Sequence, residues 1–269
     1  MTDRTAPADA VEIKQCCARL YESEIVRRLL GESFHPGGTA LTERLGTLLG
    51  LSHESQVLDA ASGNGTSALF LAQRFGCRVT GVDLGAENVE RATAEAKRLG
   101  LSDHVRFDIG DAEQLPLIDA AVDAVVCECA FCTFPDKPKA AREFARVLKP
   151  GGRVGLSDIT RAPGPAGELS DLIAWVACLA DARSAATYAD WLTGAGLTVA
   201  TVENHDEALT DMIRGIGMRL LATEVLAGVG KLDLGGIDLE AAKRLTREAN
   251  VAVAERRLGY TLVCATKGR

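Results

Sequence analysis

The stretch Val57-Leu58-Asp59-Ala60-Ala61-Ser62-Gly63-Asn64-Gly65 decides how this chain folds. Its apolar beginning is typical of a short buried strand, and the small residues that follow are typical of a tight turn between a strand and a helix. Such a turn lets a ligand approach the backbone, because no bulky side chain stands in the way. We therefore predict a strand over Gln56–Ala60, a ligand-binding turn over residues 61–65 and a helix over Thr66–Phe75.

Short β-rich runs and longer amphipathic runs alternate along the rest of the chain, as expected for a parallel sheet with crossover helices. Further strands are predicted over residues 78–82, 105–109, 124–129, 153–157, 197–203 and 260–266. Further helices are predicted over residues 86–99, 137–148, 168–180, 185–194, 206–229 and 239–257. Residues 11–51 are expected to form helices that are broken at His35-Pro36-Gly37-Gly38.

The composition narrows the class of protein. The 269 residues are 47% hydrophobic and 25% charged, a balance that excludes wholesale disorder. The net charge of −7 argues against a nucleic-acid partner, which would need a basic face. Residues 1–10 lack the apolar core of a secretory signal, and no apolar run approaches the ~20 residues of a membrane span. We therefore expect a cytoplasmic protein of undetermined oligomeric state, whose eight cysteines are reduced.

Carboxylates follow three of the predicted strands and indicate what the turn binds. Asp83 ends the second strand, where a Rossmann-like fold places a carboxylate on ribose hydroxyls. Asp111 follows the third strand, and Asp59 stands at the entrance of the turn itself. Because a carboxylate suits a cationic amino-acid group better than a pyrophosphate, these residues favour a nucleoside ligand with a cationic end over a dinucleotide.

Four motifs, in the expected order, resemble those of class I S-adenosylmethionine-dependent methyltransferases. Residues 57–65 resemble the first motif, with Ala61 in place of its first glycine, and Gly81-Val82-Asp83 resembles the second. Residues 110–116 resemble the segment that contacts adenine, and residues 146–152 resemble the segment before the fifth strand. The resemblance implies that S-adenosyl-L-methionine is the cofactor.

The same resemblance implies roles for single positions. Asp59 and the turn residues Ala61, Ser62, Gly63, Asn64 and Gly65 would hold the methionine part of the cofactor. Asp83, followed by Leu84, would hold the ribose. Asp111 would accept a hydrogen bond from the adenine amino group, the Ala112 amide would bind a ring nitrogen, and Glu128 would lie near the methionine part.

The implied architecture is an α/β, Rossmann-like class I methyltransferase fold. It has a mostly parallel seven-stranded sheet, a helical amino-terminal cap and helices inserted before the last strand. We expect one domain over residues 1–269. Within it, residues 1–50 form the cap, residues 51–160 the cofactor-binding core, and residues 161–269 the acceptor-side half with the helical insertion.

The cysteines suggest an acceptor. Cys127 and Cys129 are expected to share one face of the fourth strand at its ligand-binding end, with Cys132 just beyond it. Residues 127–131, 135–137, 157–158 and 173–179 resemble segments of arsenite methyltransferases. By position, Cys129 and Cys178 would be the two metalloid-binding thiols, and the pair Cys16-Cys17 is similar in kind to that family's amino-terminal cysteines. The family's usual amino-terminal region and its cysteine-rich tail are not clearly present.

Three functions stay open at this point. The first is methylation of a thiol-bound metalloid such as arsenite, whose lone pair needs no general base. The second is small-molecule C-, N- or O-methylation of the quinone- or sterol-modifying type, with the cysteines as packing and the helices after Asp206 as an apolar lid. Its candidate bases are His35, His205 and Glu128, although a lone histidine is more often a surface residue. The third is a non-enzymatic protein on a methyltransferase scaffold that binds metal through thiolates or has a regulatory role. The intact Asp59, Asp83 and Asp111 disfavour it.

A structural zinc site has little support, because no CxxC pair is followed by a second one. We therefore predict no resident metal.

Overall fold

The computed structural model describes Lys14 and residues 35–163, 181–228 and 238–269. They form one seven-stranded sheet with the order β3-β2-β1-β4-β5-β7-β6. The strands are β1 (Gln56–Ala60), β2 (Arg78–Asp83), β3 (Val105–Ile109), β4 (Val122–Glu128), β5 (Leu148–Arg161), β6 (Leu197–Asn204) and β7 (Leu258–Lys267). The first five strands pair in parallel, and β7 lies antiparallel between β5 and β6. The predicted mostly parallel, seven-stranded α/β sheet is confirmed.

The helices alternate with the strands as the sequence pattern predicts. They are α1 (Gly38–Leu49), α2 (Thr66–Phe75), α3 (Ala86–Arg98), α4 (Lys137–Val147), α5 (Ala185–Gly194), α6 (Asp206–Gly228) and α7 (Leu239–Ala254). A short 3-10 turn covers Phe131–Thr133. The last two helices stand between β6 and β7, which confirms the predicted insertion. The predicted helix over residues 168–180 lies outside the described residues, as does the predicted cap before residue 35 apart from Lys14.

Several strand boundaries differ from the prediction, and those of β5 and β4 differ in ways that bear on the site. β5 begins at Leu148 and ends at Arg161, well beyond the expected 153–157, because the antiparallel strand β7 pairs with it from Arg153 to Arg161. β4 ends at Glu128, and Cys129 has a left-handed backbone with φ of 51°. The alternation of a strand stops there, so the prediction that Cys127 and Cys129 share one face is wrong. Cys127 is fully buried, whereas Cys129 is partly exposed.

Helix α1 packs closely on the sheet and carries residues to its ligand-binding edge. Leu45 is fully buried, and a Cβ atom added to Gly155 of β5 would stand 2.5 Å from its Cδ1 atom. The missing side chain at Gly155 therefore sets how closely α1 can approach β5. Among the described residues, no helix is both long enough and apolar enough to cross a membrane.

We expect Gly155→Ala to destabilise the protein by about 1–3 kcal/mol, because the new methyl group overpacks the contact with Leu45. Denaturant unfolding followed by circular dichroism measures this loss. The matched control is Gly194→Ala at the end of α5, where no described atom outside its own neighbourhood lies within 4 Å of the added Cβ. A loss of stability at Gly155 no larger than at Gly194 would show that the α1–β5 contact tolerates the methyl group.

Candidate functional site

A cleft opens at the edge of the sheet where the parallel strands β1 to β4 end. It brings together eight of the predicted site residues: Ala61, Gly63, Asp83, Leu84, Asp111, Ala112, Glu128 and Cys129. Its opposite wall follows β4 and includes Ala130, Thr133, Phe134 and Pro135. Since parallel strands end at one edge, the loops after four strands meet here although they are far apart in sequence.

The turn after β1 has a left-handed backbone at alternate positions. Ala61, Gly63 and Gly65 have φ values of 58°, 52° and 80°. Glycine adopts this conformation freely, whereas alanine pays roughly 1–2 kcal/mol for it. The Asn64 side chain accepts hydrogen bonds from the hydroxyl and amide of Thr66, so it shapes the start of α2. Ala61 and Gly63 therefore face the cleft, while Asn64 and Gly65 build the turn behind them.

The Asp83 carboxylate at the end of β2 anchors this turn through hydrogen bonds. Its Oδ2 atom accepts a hydrogen bond from the Gly63 amide at 2.8 Å, and its Oδ1 atom accepts one from the Gly85 amide at 2.8 Å. The Asn88 side chain donates to the same Oδ1 atom at 3.4 Å. The carboxylate thus fixes two loops of the cleft while it also borders the space in which a ligand would lie.

Asp59 is a buried carboxylate with an unused acceptor. It is 2% exposed, and among the described residues no donor reaches its Oδ2 atom. Burial, the Glu128 charge and the Asp83 charge together raise the pKa of Asp59 well above its ordinary value, against the Ala68 amide, which lowers it. A buried acceptor beside two other carboxylates calls for a cationic donor, such as the ammonium group of an amino acid.

Glu128 ends β4 and is held by hydroxyl groups on both sides. Its Oε2 atom accepts hydrogen bonds from Ser67 at 2.7 Å and from Thr42 of α1 at 2.9 Å. Its Oε1 atom accepts one from Ser157 of β5 at 3.1 Å. The Nε2 atom of His35 lies 3.5 Å from the Glu128 Oε2 atom. His35 is buried, unlike the surface or capping position that a lone histidine more often has.

Three residues around Glu128 were not predicted from the sequence: Thr42, Ser67 and Tyr260. The Tyr260 hydroxyl lies 3.0 Å from the carbonyl oxygen of Ser157 and 3.1 Å from its hydroxyl. Burial, followed by the charges of Cys129 and Glu128, raises the pKa of Tyr260 well above its ordinary value, so the phenol stays protonated. Thr42 stands one helical turn after Gly38 and seven residues after His35, and nothing in its own segment pointed to Glu128.

The end of the cleft beyond β3 contains a cation, Lys14, that was also not predicted from the sequence. Lys14 donates hydrogen bonds to Asp111 at 2.7 Å and to Glu113 at 2.5 Å. Glu113 is buried, and its other oxygen accepts a hydrogen bond from the amide of Asp136. Asp111 thus lies at the expected edge of the cleft, with an ammonium group already on one of its oxygens.

Only one of the described cysteines borders the cleft, and it is Cys129. Its amide donates a hydrogen bond to the carbonyl of Ser157 at 2.7 Å. The other four described cysteines, Cys77, Cys127, Cys132 and Cys264, are buried. Burial raises the pKa of Cys77 to about 11, and burial followed by Glu203 raises the pKa of Cys264 to about 12, so both are protonated core residues. Cys16, Cys17 and Cys178 lie outside the described residues.

The second proposed base, His205, lies away from the cleft on the solvent side. Its Nε2 atom is 3.3 Å from Glu203, and its side chain is 27% exposed. Within the described part of the chain, no group of three or more His, Cys, Asp and Glu side chains could hold a metal ion.

These residues fit a nucleoside with a cationic amino-acid end. Asp59 lies within β1, Asp83 ends β2 and Asp111 follows β3. Asp83 and Asp111 border the cleft, and Asp59 is buried behind it. The unused acceptor of Asp59 fits an ammonium group, and the two carboxylates whose charges act on Asp59, Glu128 and Asp83, border the cleft. S-adenosylmethionine has this sequence of groups, and its positive sulfonium suits a cleft with an excess of carboxylates.

Residues 58–156 match a family model described as a methyltransferase domain. The chain is 35% identical over 161 residues to 27-O-demethylrifamycin SV methyltransferase of Amycolatopsis mediterranei, which is 55% of this chain and 59% of the relative. It is 30% identical over 179 residues to an arsenite methyltransferase of Halobacterium salinarum, covering 64% of this chain and 46% of the relative. The chain thus spans about half the length of these curated relatives.

Among solved structures, phosphoethanolamine N-methyltransferase 2 of Haemonchus contortus superposes with a TM-score of 0.81 at 16% identity. The match covers 98% of this chain and 61% of that chain, which was solved with S-adenosylhomocysteine bound. The residues matched by the family model include the turn after β1 and the strands β2 to β4. The match of residues 58–156 to a methyltransferase domain and this superposition agree that the chain has the fold of the class I S-adenosylmethionine-dependent methyltransferases.

Proposed function

We propose that this protein transfers the methyl group of S-adenosylmethionine to a thiol-bound metalloid such as arsenite, in the cytoplasm. The observation that carries the choice of acceptor is the position of Cys129. It is the described cysteine that borders the cleft, beside Glu128 and on a left-handed backbone that turns it away from the strand. The 30% identity to an arsenite methyltransferase supports the same acceptor.

The cofactor would lie along the carboxylates of the cleft. In this arrangement Asp59 accepts from the ammonium group of the methionine part, and Glu128 adds a second negative charge nearby. Asp83 accepts from the ribose hydroxyls, and Leu84, which is 42% exposed, supplies an apolar surface beside the nucleoside. Asp111 and the Ala112 amide recognise the adenine. When bound, the cofactor supplies an electrophilic methyl group.

The chemistry of trivalent arsenic fits a thiol at this place. Arsenic binds soft sulfur ligands strongly, and its lone pair can attack the methyl carbon without prior loss of a proton. Binding of arsenite to Cys129 replaces one As–OH bond with an As–S bond, and the thiol proton leaves with the hydroxide as water. Cys178 and one of Cys16 and Cys17 enter this proposal as further thiols, on the resemblance to arsenite methyltransferases alone.

A second candidate is methylation of a carbon, nitrogen or oxygen atom of an organic molecule, for example of the quinone- or sterol-modifying type. The observation that favours it is the apolar wall formed by Ala130, Phe134 and Pro135 next to Glu128. In that case Glu128 would accept the proton of the acceptor, with His35 beside it. The relative named for an O-methylation of rifamycin supports an organic acceptor. No residue of α6 or α7 is among the described residues of the cleft wall, so the expected lid stays a prediction.

Transfer of a radiolabelled methyl group to arsenite, quinols and hydroxylated macrocycles separates the two acceptors. We expect Cys129→Ser to lose arsenite turnover by at least about 100-fold, because oxygen replaces the soft ligand. Its affinity for S-adenosylhomocysteine, measured by calorimetry, should stay unchanged. The matched control is Cys77→Ala, a buried cysteine away from the cleft, which should keep arsenite turnover. Arsenite turnover that survives in Cys129→Ser, or wild-type turnover with organic acceptors alone, contradicts the metalloid proposal.

We expect Asp59→Asn to weaken cofactor binding by about 10-fold or more, because a charge-assisted hydrogen bond to the ammonium group is lost.

In the protein without cofactor, the same substitution is expected to increase folding stability at the higher pH values. The folded-state pKa of Asp59 is raised, so the stability it contributes is present at low pH and is lost as pH rises through that pKa. Asparagine does not ionise. The thermal stability of the variant, relative to that of the wild type, should therefore increase as pH rises from about pH 5 to about pH 8. Parallel pH profiles would show that Asp59 does not titrate as argued.

We expect Asp83→Ala to cost about 1.5–3 kcal/mol of cofactor binding while the protein stays folded. Part of this loss arises because the Gly63 and Gly85 amides lose their acceptor and the turn loosens. Calorimetry with S-adenosylhomocysteine measures the affinity. The matched control is Asp108→Ala on β3, whose side chain is 45% exposed and pairs with Arg106. An affinity of Asp83→Ala equal to that of the control would remove Asp83 from the site.

A further inference from the structure

We propose that Lys14 is a positioning residue for adenine recognition. Its ammonium group bridges two carboxylates so that one of them, Asp111, presents an oxygen to the 6-amino group of the base. The inference rests on the proposed cofactor site, but it does not depend on which acceptor is methylated.

The contacts of Asp111 divide its two oxygens between different partners. Oδ1 accepts a hydrogen bond from the amide of Glu113 at 2.8 Å, which fixes one edge of the carboxylate to its own loop. Oδ2 accepts from the Lys14 ammonium at 2.7 Å. The Asp111 side chain is 31% exposed and borders the cleft. A carboxylate oxygen has two acceptor sites, so Oδ2 can hold Lys14 and still accept a second donor from the cleft.

Glu113 explains why a cation is needed at this place. Its carboxylate is 5% exposed, and its Oε2 atom lies 2.5 Å from the Lys14 ammonium. Without Lys14, two carboxylates that both lie within 2.7 Å of its ammonium group would face each other with no cation between them, and like charges at close range repel. Asp111 is the more exposed of the two, so it is the one that would turn away. The lysine therefore decides where Oδ2 points.

The same cation is linked to the opposite wall of the cleft. The Oε1 atom of Glu113 accepts a hydrogen bond from the amide of Asp136, which caps the start of α4. Burial lowers the pKa of Lys14, but the hydrogen bonds to Asp111 and Glu113 outweigh it and raise the pKa above its ordinary value. Lys14 thus stays charged through neutral pH, as a bridging cation must.

The test compares adenosine with purine riboside, which lacks the 6-amino group, as competitors of bound S-adenosylhomocysteine. In the wild type we expect adenosine to bind about 10-fold more tightly, the effect of one hydrogen bond to a charged acceptor. In Lys14→Met this preference should fall to about threefold or less, because Asp111 is no longer held in place. Binding of purine riboside should change little. Lys14→Arg, which can bridge the same two carboxylates, should restore most of the preference.

A merely structural role for Lys14 would weaken the binding of adenosine and of purine riboside equally. The ratio of their two dissociation constants is therefore the decisive measurement. The matched control is Lys97→Met on α3, an exposed lysine whose loss removes the same charge away from the cleft. An unchanged preference in Lys14→Met contradicts the inference alone. So does tighter adenosine binding, which would mean that Lys14 competes with the amino group for Oδ2. Failure of the wild type to bind S-adenosylhomocysteine contradicts the proposed function and this inference with it.

Discussion

The hydrogen bond from the Gly63 amide to the Asp83 carboxylate joins the two parts of the fold on which the cleft depends. The turn after β1 adopts a left-handed backbone at Ala61, where a side chain is strained, and only outside contacts can hold it there. Asp83 supplies one such contact from the neighbouring strand. Because the same carboxylate also holds the Gly85 amide at the start of α3, three elements are fixed by one side chain. The shape of the cleft next to β1 and β2 follows from this arrangement.

The charges of the protein's own residues are distributed unevenly along the cleft, with carboxylates at one end and a cation at the other. Asp59 and Glu128 are buried near each other, and the second is surrounded by hydroxyl groups while the first has a free oxygen. Folding must therefore bury a carboxylate that nothing in the described chain neutralises. Such a group costs free energy until a positive ligand arrives, so the protein is built to be stabilised by what it binds. At the other end of the cleft, Lys14 already provides that positive charge.

Much of this could be predicted from the sequence, because it depends on local pattern. The strands, the order of the helices and the carboxylates Asp59, Asp83 and Asp111 each follow from a short run of residues and a turn. The strand count was predictable, but the length of β5 was not, since its end is set by pairing with β7. The sequence placed Cys129 at the end of β4 but did not predict its orientation. A single residue with a left-handed backbone, Cys129 itself, ends the alternation of side chains along that strand.

The polar network around Glu128 could not be predicted for a related reason. Thr42, Ser67 and Ser157 come from three different elements and are ordinary residues in their own segments. The packing of α1 and α2 at the ends of β4 and β5 brings them to one carboxylate. Lys14 is hidden in the same way, since nothing around it in the sequence points to Asp111.

The position of β7 between β5 and β6 has a consequence for the order in which the sheet can be completed. Strand β6 has no other strand beside it among the described residues, so it cannot pair until β7 has been made. During synthesis, β6, α6 and α7 all leave the ribosome before their shared partner does. The two pairings that finish the sheet close long loops late, which is slow and leaves open strand edges in the meantime. The end of the cleft that is built from β1 to β3 does not depend on that step.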